Sequence, residues 1–490
     1  MAEHPRGWQA GLEIEKAGDY LYRIPRQGPM RVDGLIFADA RLMSSIREDQ
    51  CIQQVANVAC LPGIVKNSLA MPDIHWGYGF PIGGVAAFDP KEGGVISPGG
   101  VGYDINCGVR LLSTKILYQD VKGRVADFVP RLFQNIPTGV GSSRKDLRLS
   151  KDDARRLVER GARWAVERGY GSQEDLACIE EGGAIAGGEF DLVSDRAFER
   201  GRNQLGTVGS GNHFVEMGYV DEVYEPRVAD RIGLHVGLLT FIVHTGSRGF
   251  GYQICDDSLK GMIQAAHKYR IELPDRQLCC APIESDEGQR YLAAMICGAN
   301  FAFANRQVIT HWVRETVEEA WGMAPRQHGI RVVYDVCHNI AKFETHRIDG
   351  QDRRVVVHRK GATRSFPAGH AQCPEIYRDV GQPVLVPGDM GRYSYVLVGN
   401  PESPDTTFAS CCHGAGRLMS RTQARKVTRN RRILDELRQQ GIHVAASSRD
   451  TVDEEFPGAY KDVADVVDVV HNAKLAVKVA RLRPVGVIKG

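Results

Sequence analysis

Apolar residues in this chain follow two rhythms. Between residues 63 and 113 they fall in short runs set off by glycine and proline: Gly63-Ile64-Val65, Gly84-Val85-Ala86-Ala87-Phe88, Gly94-Val95-Ile96-Ser97 and Val109-Arg110-Leu111-Leu112-Ser113. Runs bounded in this way predict strands. Met71 to Gly79, which holds Pro72, Asp73 and two glycines, reads as a loop among them. Residues 121–200 are mostly helical in pattern. Asp152 to Glu167 sets apolar residues against charges on opposite faces. Strand-and-loop character returns at 203–250, and Tyr291 to Trp321 predicts a long helix or a pair. Further strands are predicted at Val332 to Cys337, Val355 to His358, Val384 to Val386 and Ser394 to Gly399. Arg359 to Arg364 reads as a basic loop. A helix is expected from just after His413 to about Arg432, another over Ala464 to Arg481, and a short strand at Pro484 to Gly490. In the first 60 residues, Tyr20 to Ile24 suggests a strand, while Ala38 to Ile46 and Asp49 to Ala59 suggest helices.

The chain shows no long linker, low-complexity tract or internal repeat. Strand-like segments recur to its end with helices between them, which predicts one large interwoven α+β domain over 1–490. Residues 1–60 are its least defined part.

Composition narrows the class. Of 490 residues, 43% are hydrophobic and 25% charged, as in ordinary globular proteins. The net charge of +2 gives no overall attraction for a polyanion, so any nucleic-acid surface must be local. Twelve scattered cysteines, a start (Met1-Ala2-Glu3-His4-Pro5-Arg6) without an apolar signal core, and no run near ~20 apolar residues point to the reducing cytoplasm and no membrane. Glycine, at 54 residues, exceeds the usual ~7%, and several of these glycines surround candidate chemistry.

Gly99 to Arg110 places Asp104 and Cys107 three residues apart in a glycine-rich run. His213, His244 and His338 follow at junctions between strands and loops. One aspartate, one thiol and three histidines are enough ligands for two metal ions if the thiolate bridges. Sulfur with imidazole favours zinc or another transition metal over Mg²⁺ or Ca²⁺ alone. His413 differs, because it precedes Gly414-Ala415-Gly416 and an expected helix start, where free N–H groups attract anions. It is a nucleophile that carries a phosphoryl or nucleotidyl group, a fourth ligand, or a helix-start residue with no chemistry. Arg417, Arg421 and Arg425 recur at four-residue steps, and seven basic residues with no acidic one lie between Arg417 and Leu434. That spacing predicts a polyanion-binding face. Asn212 and Asn339, beside two of the histidines, are amides suited to phosphate oxygens.

Together these segments resemble the RtcB family of GTP-dependent RNA ligases. The resemblance runs in order through Gly102 to Arg110, Gly209 to Phe214, Val243 to Gly249, Cys337-His338-Asn339, His358 to Arg364, His413 to Arg417 and Lys489-Gly490. It implies GTP and two Mn²⁺ per active site, one ion held by Asp104, Cys107 and His213 and the other by Cys107, His244 and His338, in a deep cleft. His413 would attack the α-phosphate of GTP. The GTP contacts implied are Asn212, Glu216, Asn339, Asp389, Ser394, Gly414, Ala415, Gly416, Tyr460 and Lys489. Glu216 and Lys489 would read the guanine edge, Tyr460 would pack near the base and Ser394 near the ribose. Arg248, Arg417 and Arg421 would meet RNA phosphates. The implied reaction joins RNA ends bearing a 2′,3′-cyclic phosphate or 3′-phosphate to 5′-hydroxyl ends, in tRNA splicing or RNA repair. The protein would act as a monomer, with an archease-like activator as a further partner. Asp389 stands where the family often has Ser or Thr, and it brings an extra negative charge toward the nucleotide. Two other functions suit parts of this pattern: a metal-dependent phosphodiesterase on cyclic-phosphate RNA ends, which has no need of His413, and a non-catalytic RNA-binding factor, which has no need of the metal ligands.

Overall fold

The β-branched and glycine-bounded runs assemble into two large sheets in the computed structural model, which describes residues 11–490. The reading of Met1 to Arg6 falls outside the described residues. The first sheet has seven strands in the order Glu15–Gly18, Leu21–Ile24, Asp33–Phe37, Ile64–His75, Ile82–Phe88, Gln351–Lys360 and Asn339–Ile348. The second runs Arg331–Cys337, Gly108–Leu117, Leu238–Thr245, Phe214–Val223, Ala476–Lys489, Ser394–Gly399 and Pro383–Val386. His443–Ala446 pairs in parallel with Ala476–Lys489 as its eighth strand. A short ribbon joins Ala362–Arg364 to Ser410–Cys412. Strands far apart in the chain are neighbours in each sheet, Ile82–Phe88 beside Gln351–Lys360 in the first and Phe214–Val223 beside Ala476–Lys489 in the second, and with the helices between them the fold is α+β, as the pattern predicts. One 36-residue helix, Asp286–Trp321, is buried along most of its length and packs against helices Lys151–Arg160, Ala162–Glu167 and Arg248–Lys268. All twelve cysteines are free and buried. Among the described residues, no helix is long and apolar enough to cross a membrane.

Several predicted elements take a different form. Met71 to His75 is not a loop but the end of strand Ile64–His75, buried nearly throughout. Its Pro72 and Asp73 mimic turn chemistry while serving other ends. The basic stretch from Arg359 to Arg364 is strand, a turn at Gly361 (φ +63°), then strand again. Its charges are interior: Arg359 forks onto Glu344, and Arg364 reaches Glu180 and Glu181. The helix expected after His413 begins only at Arg421, with Ser420 as its N-cap, so His413 ends the strand Ser410–Cys412 instead. The expected final helix stops at Asn472, the chain turns at Lys474 (φ +58°), and Ala476–Lys489 is the long central strand of the second sheet. The helix over Asp152 to Glu167 is broken at Gly161.

Candidate active site

Strand order alone brings four of the expected ligands together. Arg331–Cys337, Gly108–Leu117, Leu238–Thr245 and Phe214–Val223 are antiparallel neighbours, and His338, Cys107, His244 and His213 all stand at the same end of them. Lys489 joins at that end, paired with Phe214. Asp104 is delivered by the glycine turn. The N–H of Cys107 donates to Asp104 O at 3.0 Å, the N–H of His338 to Cys107 O at 2.9 Å and the N–H of Asn106 to Asn339 O at 2.8 Å. Asn106 is left-handed (φ +51°), and Arg306, fully buried, makes that conformation tenable. Its guanidinium donates to Asn106 O (2.8 Å), Asn106 Oδ1 (3.0 Å) and Thr245 O (2.9 Å), and it forks onto Asp335. Arg306 thus clamps the backbone beside both Cys107 and His244.

The side chains converge on two groups that share a sulfur. Cys107 Sγ lies 3.3 Å from His213 Nε2 and 3.4 Å from His244 Nε2. His244 Nε2 lies 3.4 Å from His338 Nε2, and Asp104 Oδ2 lies 2.8 Å from His213 Nε2. Asp104–Cys107–His213 and Cys107–His244–His338 are each close enough to hold a metal ion. His213 Nδ1 faces Val208 O at 3.1 Å, which directs its Nε2 lone pair to the cluster. Burial drives His244 and His338 well below the ordinary imidazole range, so both are neutral, the form that can ligate a metal. Burial and then Asp104 push the Cys107 thiol well up in the absence of an ion. Asp104 Oδ2 is buried without a well-formed hydrogen bond. A carboxylate oxygen, a sulfur and three imidazole nitrogens converging at these distances fit a divalent transition ion, whose binding would displace the thiol proton.

His413 sits beside this cluster, its ring 4.7 Å from that of His338. Asp73 Oδ2 accepts from three of its neighbours: His413 Nδ1 at 2.6 Å, His413 N at 3.1 Å and Gly414 N at 3.3 Å. Holding Nδ1–H leaves Nε2 as the nitrogen with a free electron pair. Lys461, itself buried, donates to Pro72 O (3.1 Å) and Ile74 O (2.6 Å), fixing the strand on both sides of Asp73. Gly416 is required here, because a Cβ would lie 2.1 Å from Asp73 O.

The cleft in front of His413 is lined by Asn212, Glu216, Asp389, Gly414 to Arg417, Arg421, Glu455, Tyr460 and Lys489, with His75 and His244. Burial and then Asp389 push Glu216 up to about 8, against Ser394 and Lys489. Burial lowers Lys489. Ser394 donates to Glu216 Oε1 at 3.3 Å and lies behind the lining. Asn339 is also set back: its amide donates to Asp104 O (3.1 Å), and its oxygen accepts from Gly361 N (2.9 Å), bracing the metal turn. The charge of Asp389 is contained, with Oδ2 on Arg392 Nε at 2.5 Å and Oδ1 accepting from two backbone N–H groups. Arg248, left-handed at the start of its helix, packs over Gly209, where a Cβ would lie 1.9 Å from its guanidinium. The basic stripe is not a free face. Arg417 lies outside the helix and binds Glu455 and Tyr460. Arg421 faces Glu454 and Glu455, and Arg425 faces Asp450 and Glu454. The residues the spacing did not reveal are Asp73, Lys461, Arg306 and Glu455. Of these, only Asp73 carried a signal: a lone carboxylate inside an apolar strand needs a buried partner.

Two groups of side chains, each able to hold a metal ion and sharing the Cys107 sulfur, thus lie beside a histidine whose Nδ1 is held by a carboxylate. The chain belongs to the RtcB family, described as tRNA-splicing ligase RtcB, which it matches over residues 54–490. It is 54% identical to the tRNA-splicing ligase RtcB of Thermococcus kodakarensis over 480 residues, covering 98% of this chain and 99% of the relative. Identity to the Archaeoglobus fulgidus tRNA-splicing ligase RtcB is 51% over 479 residues, 97% of this chain and 99% of that one. The RNA-splicing ligase RtcB of Mycobacterium tuberculosis is 50% identical over 438 residues, 89% of this chain and all of its own.

Proposed function

We propose that the protein is a GTP- and Mn²⁺-dependent RNA ligase of the cytoplasm that joins 2′,3′-cyclic phosphate or 3′-phosphate ends to 5′-hydroxyl ends through a guanylylated His413. The observation that carries this is the 2.6 Å contact between His413 Nδ1 and Asp73 Oδ2. It orients Nε2 as a nucleophile and stabilises the positive charge that develops on the ring as a bond to phosphorus forms.

Asp104, Cys107 and His213 would hold one ion and Cys107, His244 and His338 the other. Bound there, the ions supply Lewis-acid stabilisation of phosphoryl charge. His413 Nε2 attacks the α-phosphorus of GTP, the bond to the β-phosphate oxygen breaks, and pyrophosphate leaves. On a 2′,3′-cyclic end, water adds to the phosphorus and the bond to the 2′ oxygen breaks, leaving a 2′-hydroxyl and a 3′-phosphate; an oxygen of that 3′-phosphate then takes the guanylyl group as the bond from its phosphorus to His413 Nε2 breaks, which frees the ring. The 5′-hydroxyl oxygen attacks that phosphate, and GMP departs. Glu216 and Lys489, buried in the lining of the cleft, suit the polar edge of guanine, and Tyr460 offers a ring face to the base. Asn212 suits phosphate oxygens, and Arg248, whose guanidinium bonds Thr207 and Ser142 hydroxyls rather than a carboxylate, suits the RNA backbone. Because Arg392 absorbs the charge of Asp389, that residue is compatible with a triphosphate in the cleft.

The test is label transfer. Purified protein, Mn²⁺ and α-labelled GTP should give an acid-labile label on the denatured chain, absent from His413→Ala, and RNA with the stated ends should be joined. Metal-loaded, folded protein that never takes label would overturn the proposal.

A further inference from the structure

Beside the metal turn lies a row of aromatic rings that does not belong to the nucleotide cleft. Tyr103, next to Asp104 in the chain, stacks on Tyr252 with ring centroids 4.8 Å apart and planes inclined by 25°. Its other neighbour, Tyr78, meets it edge-on at 5.4 Å. The Arg200 guanidinium lies over the Tyr252 ring at 4.8 Å and ends the row. Tyr252 is 43% exposed, although it is large and apolar, and Arg200 is exposed. Tyr252 is one helical turn beyond Arg248 on the same helix, so the two share a face. None of the three tyrosines lines the cleft in front of His413.

Rings and a guanidinium in a continuous stack, open to water and one residue from a metal ligand, are the equipment for holding an unpaired nucleobase. We propose that the Arg200–Tyr252–Tyr103 stack is a platform for single-stranded RNA, receiving the base next to the reacting end. The inference rests on the ligase reading for its substrate. The guanidinium plane that ends the stack, held over the Tyr252 ring, takes the base by its face, so recognition tolerates any sequence. Requiring an unpaired base also selects broken or cleaved ends over intact duplex.

The experiment uses the full chain without GTP, so nothing turns over. A ten-nucleotide single-stranded RNA with a 3′-phosphate carries 2-aminopurine beside that end, and a second RNA carries it beside a 5′-hydroxyl. Binding should quench the fluorescence of at least one of them. Tyr252→Ala should abolish that quenching and weaken binding about ten-fold, whereas Tyr252→Phe should retain both. The salt dependence of binding should be unchanged in Tyr252→Ala, because no charge is lost, but shallower in Arg200→Met. An abasic site at the probe position should weaken binding to the unaltered protein and leave Tyr252→Ala unaffected. Equal melting temperatures establish that the variants are folded. Unquenched probes at both ends, or an abasic RNA bound as tightly as the intact one, would overturn the platform. If the unaltered protein also takes label from GTP, that failure leaves the ligase reading standing. An absence of label with quenching intact would separate the two in the other direction.

Discussion

Asp73→Asn is the sharpest test of how His413 is held. One oxygen of Asp73 accepts from the imidazole and from two backbone N–H groups, while Oδ1 is buried with no hydrogen-bond partner and packs against Gly83. An asparagine has two ways to sit. Turned with its NH₂ toward His413, it would set one donor against two backbone donors and force the ring into the tautomer with a proton on Nε2. Turned with its oxygen there, it keeps all three hydrogen bonds and places the NH₂ where Oδ1 was, without an acceptor. The second arrangement loses less. Its cost to the reaction is the difference between a charge-assisted and a neutral hydrogen bond, about 1–2 kcal/mol, or roughly five- to thirty-fold in rate. Its cost to folding is a buried unpaired amide, about 1–3 kcal/mol. The assay is single-turnover transfer of α-labelled GTP onto the chain at saturating Mn²⁺, alongside urea unfolding. A loss near 10⁴-fold would mean that the ring had taken the wrong tautomer and that the first arrangement had won. A rate equal to that of the unaltered protein would refute the reasoning, because the carboxylate charge would then contribute nothing.

Three further outcomes follow from the same geometry. Gly246→Ala would place a Cβ 2.4 Å from Asp104 Oδ1 while leaving the Cys107–His244–His338 group untouched. Titration calorimetry should show one of two metal equivalents weakened, and equal weakening of both would contradict it. Arg306→Met removes one partner of a fully buried ion pair with Asp335 and should destabilise the fold by about 3–5 kcal/mol in urea, with weaker metal binding because Asn106 and Thr245 lose their anchor. Glu216, pushed up to about 8, binds its proton more tightly folded than unfolded. Its contribution to stability is therefore fully present below its unfolded value near ~4.3 and is lost as pH rises through about 8. Glu216→Gln should accordingly have a flatter stability–pH curve over that window and a higher melting temperature than the unaltered protein at pH 8.5. A curve parallel to the original would count against the burial argument.

Which parts of this site can be read from a sequence depends on where each residue's partner lies. His213, His244 and His338 announce themselves because a histidine at the end of an apolar run must leave the sheet at its edge, and neighbouring strands bring such edges together. Lys461 does not, and Asp73 shows only that it needs some buried partner, because each is embedded in apolar or turn-like context and its role is set by a partner hundreds of residues away. The final strand was hidden for a related reason. Val463 to Lys489 is rich in valine throughout, and the change from helix to strand is made by a single left-handed residue, Lys474, rather than by a glycine or proline. The basic stripe shows the opposite failure, in which spacing suggests more than the fold delivers. Arg417, Arg421 and Arg425 look like an open cationic face until Asp450, Glu454 and Glu455 are folded against them. The consequence reaches the function. A polyanion arriving at these arginines must compete with carboxylates already in place, so their net attraction is small. RNA affinity then has to draw on groups whose charge or ring faces are not already engaged by an acid, and on that ground Arg248 and the Arg200–Tyr252 stack are better placed than the arginine stripe.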